Sequence, residues 1–456
     1  MACDMTLTLG APGLGRQSGE LRAHSRILPV RGPPARFLRR ANYRAARERS
    51  PPEGNYISDP RNANRGPYTD FCTFMVVMPM PCPPSSLNDR IGKTLWGPAA
   101  RRGPLAGWAG RWRNLRALST PTAGPAVWVD TGVMRYLSID TSKKISKIGL
   151  GTWQFGSREW GYGDRYADQV ARAIVRRALE LGVTLFDTAE IYGFGRSERI
   201  LGQALGEDRE RIFLATKILP VLPVAPVVEQ RAVASANRLG ARSLDLYQVH
   251  QANPLVRDGT IMRGMRALQH VGLVGEVGVS NYSLQRWRAA EDALGSRVLS
   301  NQIPYSLVAR SPERDILPYA QAGGRVVLAY SPLAQGLLSG RYDQDNRPAN
   351  RVRAGNPLFL PDNLARAAEL IAALRGVAEE HSATPAQIAL AWVIRHPAVA
   401  AIPGASSVEQ LEHNAAAADI DLTDSQYQAL AAAAAGFQPI TGTAAIPRLA
   451  RARFGH

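Results

Sequence analysis

From residue 134 onward the chain repeats one pattern of apolar and polar positions. A short apolar run is followed by a longer stretch whose apolar positions fall three and four apart. The first kind suits a buried strand and the second an amphipathic helix. Strand 147–153 precedes helix 166–182, strand 183–189 precedes helix 195–206, and strand 211–217 precedes helix 226–240. Strand 244–250 then precedes helix 259–272, strand 276–281 precedes helix 283–295, and strand 298–306 precedes helix 314–324. Strand 325–332 leads through a long loop to helices 363–381 and 384–396, and strand 399–405 comes last. Two shorter segments, 135–140 and 143–151, alternate like a hairpin ahead of the series.

Strands alternating with helices imply a parallel sheet. Eight of them imply an α/β fold closed into a (β/α)8 TIM barrel. The competing architecture is an open, doubly wound sheet, which carries a glycine-rich phosphate loop after its first strand. GLGTWQFG (149–156) does not match that motif.

Several strand ends carry an ionisable residue. TLFDTAEIYG (184–193) holds Asp187 and Tyr192, IFLATK (212–217) ends in Lys217, and LDLYQVH (244–250) ends in His250. In a parallel barrel such ends converge on one face. A lysine closing an apolar strand needs a partner, and Asp187 is the candidate. An ammonium beside Tyr192 favours the phenolate and lowers the phenol's pKa. Together the four groups make a proton-delivery site, with the phenol placed to protonate a carbonyl oxygen.

Composition separates two regions. The chain has 456 residues, 45% hydrophobic and 20% charged, with a net charge of +17. Residues 1–133 hold 19 of the 55 Lys and Arg against 8 of the 38 Asp and Glu, so most of the excess lies there. They also hold 16 of the 32 prolines and all three cysteines (Cys3, Cys72 and Cys82). No period persists in this extension, so it cannot bury enough surface to offset its ordering entropy. The favoured expectation is a disordered tail without function, or an upstream stretch not belonging to the working protein, with Met134 as the natural start. A targeting segment and a nucleic-acid-binding arm with Trp108, Trp112 and Phe37 are the other readings. The basic tail from 438 to 456 is expected to be flexible.

The remaining residues lack cysteine, which removes thiolate chemistry from the barrel. Only seven histidines occur and no metal-binding spacing of them, so no metal is expected. A serine hydrolase lacks its G-x-S-x-G elbow. No apolar run reaches the roughly 18 residues of a membrane span, and no signal pattern opens the chain, so a cytoplasmic location is expected.

At this point the sequence resembles the aldo-keto reductases over residues 134–437. The shared motifs are GLGTWQFG, FDTAEIYGFGRSERILGQAL, TK at 216–217, DLYQVH, GVSN, NQIPYS, AYSPLAQGLLSGRY and IPGASSVEQLEHN. The last two place it nearer the bacterial and potassium-channel β-subunit-like branch. The resemblance implies the same barrel, NADPH as hydride donor, and reduction of a small-molecule aldehyde or ketone. It implies Tyr192 as general acid, Lys217 and Asp187 tuning it, and His250 orienting substrate.

The resemblance also implies cofactor contacts. Thr152 and Trp153 follow the first strand. Ser280, Asn281 and Gln302 are expected to hold the carboxamide, and Tyr330 or Tyr305 to stack on the ring. Ser331, Pro332, Leu333 and Gln335 line the pyrophosphate, with Arg341 nearby. Gly404, Ser406, Gln410 and Asn414 take the adenosine end, where a helix begins. Many relatives carry Lys or Arg beside the position of Ser406; here Ser407 stands there. Preference for NADPH over NADH then falls to Arg341 or Arg351.

The loop 341–363 exceeds what a connector needs and is expected to be a flap over the cofactor. Segments 156–166 and 219–228 are expected to wall the substrate pocket, with Trp153, Trp160 and Tyr162 as apolar faces. A rival function is a non-catalytic NADP(H)-binding partner subunit, since such relatives exist in this branch.

Overall fold

The computed structural model describes residues 134–163 and 167–449, and the readings made for residues 1–133 lie outside them. The strands are β1 (Leu150–Gly151), β2 (Leu185–Asp187), β3 (Phe213–Ile218), β4 (Leu244–Val249), β5 (Val274–Ser280), β6 (Ser300–Pro304), β7 (Val326–Tyr330) and β8 (Val399–Ala401). They pair in sequence order and all in parallel. Parallel bridges Ile148↔Ala401 and Gly151↔Gly404 then join the last strand to the first, so the sheet is a closed barrel. Closure depends on Gly151: a Cβ there would lie 2.7 Å from the Ile402 carbonyl oxygen.

The helices α1 (Asp168–Glu180), α2 (Arg196–Leu205), α3 (Ala225–Leu239), α4 (Asp258–His270), α5 (Leu284–Leu294) and α6 (Ile316–Ala322) follow β1 to β6. After β7 come three short pieces: α7 (Arg351–Ala354), a 3-10 turn (Pro357–Phe359) and α8 (Pro361–Arg366). Helices α9 (Ala368–Glu380) and α10 (Pro385–Ile394) lead to β8, and α11 (Val408–Ala416) and α12 (Asp424–Gly436) follow it.

Side-chain alternation divides the core in two. Outward strand residues such as Phe186, Leu214, Tyr247, Val277 and Ala329 pack under the helices. Inward ones, including Leu185, Phe213, Ala215, Leu246, Val326, Leu328, Ala400 and Ile402, form a separate apolar cluster inside the barrel. Leu137 and Ile145 join this inner cluster from the expected hairpin, where Leu137 N donates to the Ile145 carbonyl (2.8 Å) and Lys147 N to that of Arg135 (2.7 Å). The hairpin thereby plugs the end where the strands begin. The next inward positions along β2, β3 and β4 are Asp187, Lys217 and Gln248. A polar layer therefore rests on a dry apolar one, which excludes water from beneath the polar groups.

The structure departs from the sequence expectations in four places. Except for β5, which starts two residues earlier than expected, the strands are shorter than their apolar runs, because several of those residues already turn towards the following loop. The helix expected over 363–381 is broken at Ala367. The loop 341–363 is largely ordered into short helical pieces, with Pro357 and Pro361 at their first positions, where a missing N–H costs nothing. Past β8, α11 begins where a helix was expected, while α12 lies in a stretch for which none was expected. Beyond them the chain still makes contacts: Asn363 exchanges two hydrogen bonds with Ile440, and Arg448 pairs with Asp362 at 3.1 Å.

Candidate active site

The turn after β2 places Tyr192. Gly193, Phe194 and Gly195 all have positive φ (55°, 53° and 80°), and the chain passes straight into α2. A Cβ on Gly193 would meet the Gly156 carbonyl at 3.2 Å, so the two glycines give a tight, left-handed delivery of the phenol.

Lys217, fully buried on β3, donates to Asp187 Oδ1 (2.6 Å), to the Thr188 carbonyl (2.8 Å) and to the Tyr192 hydroxyl (3.3 Å). Those three bonds use all three of its protons. Burial alone would depress the ammonium, but the attraction of Asp187, helped by Tyr192, outweighs this and raises its pKa above the ordinary value. Asp187 Oδ2 accepts from Gln302 (2.8 Å) and more weakly from Gln248 (3.4 Å), so both carboxylate oxygens are held.

His250 follows β4, with its backbone N–H bonded to the Ile218 carbonyl at 2.9 Å. Its ring meets that of Tyr192 edge-on, with centroids 5.7 Å apart. Burial, then the Lys217 charge, lowers its pKa to about 3, so the imidazole is neutral. Its Nδ1 is buried with no hydrogen-bond partner. Trp153 stacks on the phenol at 6.2 Å, and Trp160 meets Trp153 at 5.2 Å. The structure thus gathers Asp187, Tyr192, Lys217 and His250 into one cluster with an aromatic wall.

The expected carboxamide group also converges here. Ser280 Oγ donates to the Gln302 carbonyl (2.8 Å), Asn281 Nδ2 to Ser280 Oγ (3.2 Å), and Tyr330 hydroxyl to Asn281 Oδ1 (2.9 Å). Asn281, Ser331, Ala334 and Gln335 all have positive φ (60°, 49°, 48° and 57°). Such backbone, unusual for residues other than glycine, concentrates at functional sites. It lies in the Asn281 turn and along the Ser331–Gln335 run beside Pro332 and Leu333. At the neighbouring β8–β1 seam Gly404 accepts from Asn414 (3.3 Å), and Ser406 bonds Gln410 through N and Oγ (2.9 and 3.1 Å). Ser407 caps α11 through the Gln410 N–H (3.1 Å).

Three expectations change. Thr152 is fully buried; its hydroxyl bonds Ser197 (2.9 Å) and the Asp187 carbonyl (3.0 Å), so it braces the β1 turn. Tyr305 is fully buried against Trp392 with its hydroxyl on Glu313, which leaves Tyr330 as the ring candidate. Tyr162 is 2% exposed beneath the Arg196 guanidinium, so of the three expected wall residues it leaves Trp153 and Trp160 as candidates. The Arg351 side chain lies outside the described part; Arg341 is exposed.

Two participants escaped the sequence reading. Gln248 was legible as a lone amide at an inward position of an apolar strand. Arg353 was not: its Nε bonds the Gln335 carbonyl (2.8 Å) while its guanidinium lies 5.1 Å over Trp160.

Comparison with known proteins decides the family. The profile of the Aldo/keto reductase family matches residues 147–435. The chain belongs to this family. An uncharacterized oxidoreductase of Mycobacterium tuberculosis is 57% identical over 308 residues, covering 68% of this chain and 95% of that protein. The methylglyoxal reductase YeaE of Escherichia coli is 32% identical over 62% of this chain and 88% of its own length. Among solved structures, a glycerol dehydrogenase from Gluconobacter oxydans is 27% identical, with TM-score 0.61, covering 67% of this chain and 96% of that one. An aldo-keto reductase from Klebsiella pneumoniae in complex with NADPH is 30% identical, with TM-score 0.53, covering 65% and 94%. Asp187, Tyr192, Lys217 and His250 meet at the ends where the barrel strands finish.

Proposed function

We propose that this aldo-keto reductase reduces an aldehyde or ketone to the alcohol, with NADPH as hydride donor and Tyr192 as proton donor. The observation that carries it is Lys217 Nζ, bonded to Asp187 and 3.3 Å from the Tyr192 hydroxyl.

The bound nicotinamide would supply hydride to the carbonyl carbon. The residues argued to hold it are Ser280, Asn281 and Gln302, with Tyr330 beside the ring and the 331–335 run along the phosphates. The fit is supported by the clustered amides, which both donate and accept, and by the positive-φ backbone next to them. The α11 N-terminus adds a partial positive charge at the adenosine end. The likeness to the Klebsiella enzyme solved with NADPH supports the same reading.

In this reading the chain handles the proton. As charge develops on the carbonyl oxygen, the Tyr192 hydroxyl transfers its proton to it. The adjacent ammonium stabilises the phenolate left behind, and Asp187 keeps that ammonium charged. Neutral His250 orients the carbonyl without competing as an acid. The dry layer beneath strengthens each of these interactions.

The test is NADPH absorbance with a panel of aldehydes, ketones and quinones, beside NADH. Tyr192→Phe is expected to lose most carbonyl reduction while still binding NADPH by fluorescence. Full turnover by that variant would remove Tyr192 from its role.

A further inference from the structure

The described residues include eight large apolar side chains that stand exposed, and five share one place. Phe194 (71% exposed), Val221 (57%), Leu222 (73%), Val224 (42%) and Leu255 (92%) lie in the loops that follow β2, β3 and β4. These adjacent strands and their turns also carry Asp187, Tyr192, Lys217 and His250. Phe194 is two residues from Tyr192 itself. An exposed apolar cluster at such a place marks a contact surface.

The surface is built and stiff. Segment 219–228 (LPVLPVAPVV) has no polar side chain, and its three prolines restrict the backbone. Leu222 is held at φ 71° with its side chain outward. Arg231 donates to the Leu219 carbonyl (3.1 Å) and to Glu190 Oε2 (2.8 Å), while Glu190 accepts from the Leu219 N–H; this ties the β3 loop to the β2 loop. Asn253 Nδ2 donates to the Pro220 carbonyl (2.6 Å), and its Oδ1 accepts from Leu255 N (2.7 Å) and Val256 N (2.8 Å). One amide thus fixes the β4 loop against the β3 loop. The acidic groups near these loops are already paired, Glu190 with Arg231 and Asp258 with Arg286.

We infer that this rim, on the loops that follow the strands carrying Asp187, Lys217 and His250, receives an extended apolar arm of the substrate. The preferred carbonyl compound is then a medium-chain or ring-bearing aldehyde or ketone rather than a short polar one. This rests on the carbonyl-reductase reading above. Pre-ordered loops make the contact cheap in entropy, so added apolar length is expressed as affinity.

The experiment is kcat/KM with NADPH for the straight aldehydes from propanal to octanal. A buried methylene is worth about fourfold, and about twofold on an open rim. The expected rise across the series is therefore about thirtyfold for the unaltered protein. Leu222→Asp and Leu255→Ser change exposed side chains and are expected to flatten the slope, octanal losing about tenfold more than propanal. Val233→Asp, on the outer face of α3, is the control and is expected to keep the slope. A flat series with propanal turned over normally overturns this inference and leaves the reductase reading intact. Failure of every aldehyde and ketone overturns both. Loss of a dimer in Leu222→Asp, seen by sedimentation with the slope unchanged, also overturns it and assigns the rim to self-association.

Discussion

The Lys217 ammonium lies 2.6 Å from Asp187 Oδ1, and both groups are shut away from solvent. Neither charge could sit there alone. Removing one partner of a buried pair leaves the other unpaired, at a cost of about 3–5 kcal/mol. Lys217→Met is therefore expected to lower unfolding stability by about that amount and to abolish reduction. Adding Asp187→Asn removes the stranded carboxylate and is expected to recover part of the stability but none of the activity. Urea titration of the three variants checks this. A double variant as unstable as the sum of the singles would show that the pair is not coupled.

His250 yields a pH prediction. Its pKa is about 3 in the folded chain against 6.5 for the free side chain. Between those values the unfolded chain binds a proton that the folded chain refuses. Stability attributable to His250 is then complete above about pH 6.5 and falls as pH drops towards 3, by at most about 1.4 kcal/mol per unit. His250→Gln is expected to lose that slope, measurable by denaturant titration at pH 7, 6, 5 and 4. The reductive kcat of the unaltered protein is expected to show no break near pH 6.5. Such a break, absent in His250→Gln, would contradict a neutral imidazole.

Arg353 links the 341–363 segment, expected to be a flap, to both the Gln335 turn and Trp160. It bonds the strained Gln335 backbone and covers Trp160, while Asn356 holds the Gln335 side chain at 3.1 Å and Asn350 the Glu159 carbonyl at 2.6 Å. Arg353→Ala is expected to loosen the flap from both partners, so KM should rise for cofactor and carbonyl substrate together. Thermolysin cleavage within 341–363 should quicken, and NADPH should protect less than it does the unaltered chain. A change in substrate KM alone would place Arg353 only in the pocket wall.

The barrel was legible because each strand and helix announces itself locally. LFD, FLATKI and LYQVH carry their period and their ionisable group within a few residues. Strand limits were overrun because apolar character continues into the turns, as Trp153 shows. Helix α12 had a readable start, since Thr423 and Gln426 form a capping box ahead of an alanine-rich run. The break at Ala367 had no such mark, because alanine is a good helix former. The four-residue proton cluster could be read since one face of a parallel barrel gathers its strand ends. What sequence could not supply was which polar groups already satisfy one another. Thr152 with Ser197, Tyr305 with Glu313 and Arg353 with Gln335 are all partners fixed by tertiary folding.

Arg341 tests the cofactor preference. Ser406 and Ser407 occupy the turn into α11, and their hydroxyls bond Gln410. Neither offers a positive charge to a 2′-phosphate. Arg341, exposed just past the Ala334–Ser339 turn, is the candidate that remains among the described side chains. A charge-assisted hydrogen bond is worth about 1.5–3 kcal/mol, and an exposed arginine should sit at the low end. Arg341→Ala is therefore expected to raise KM for NADPH about tenfold. KM for NADH, which lacks the phosphate, should barely move. The effect should also shrink in high salt, since the interaction is screened there. Equal changes for the two cofactors would remove Arg341 from phosphate recognition and leave the α11 N-terminus as its carrier.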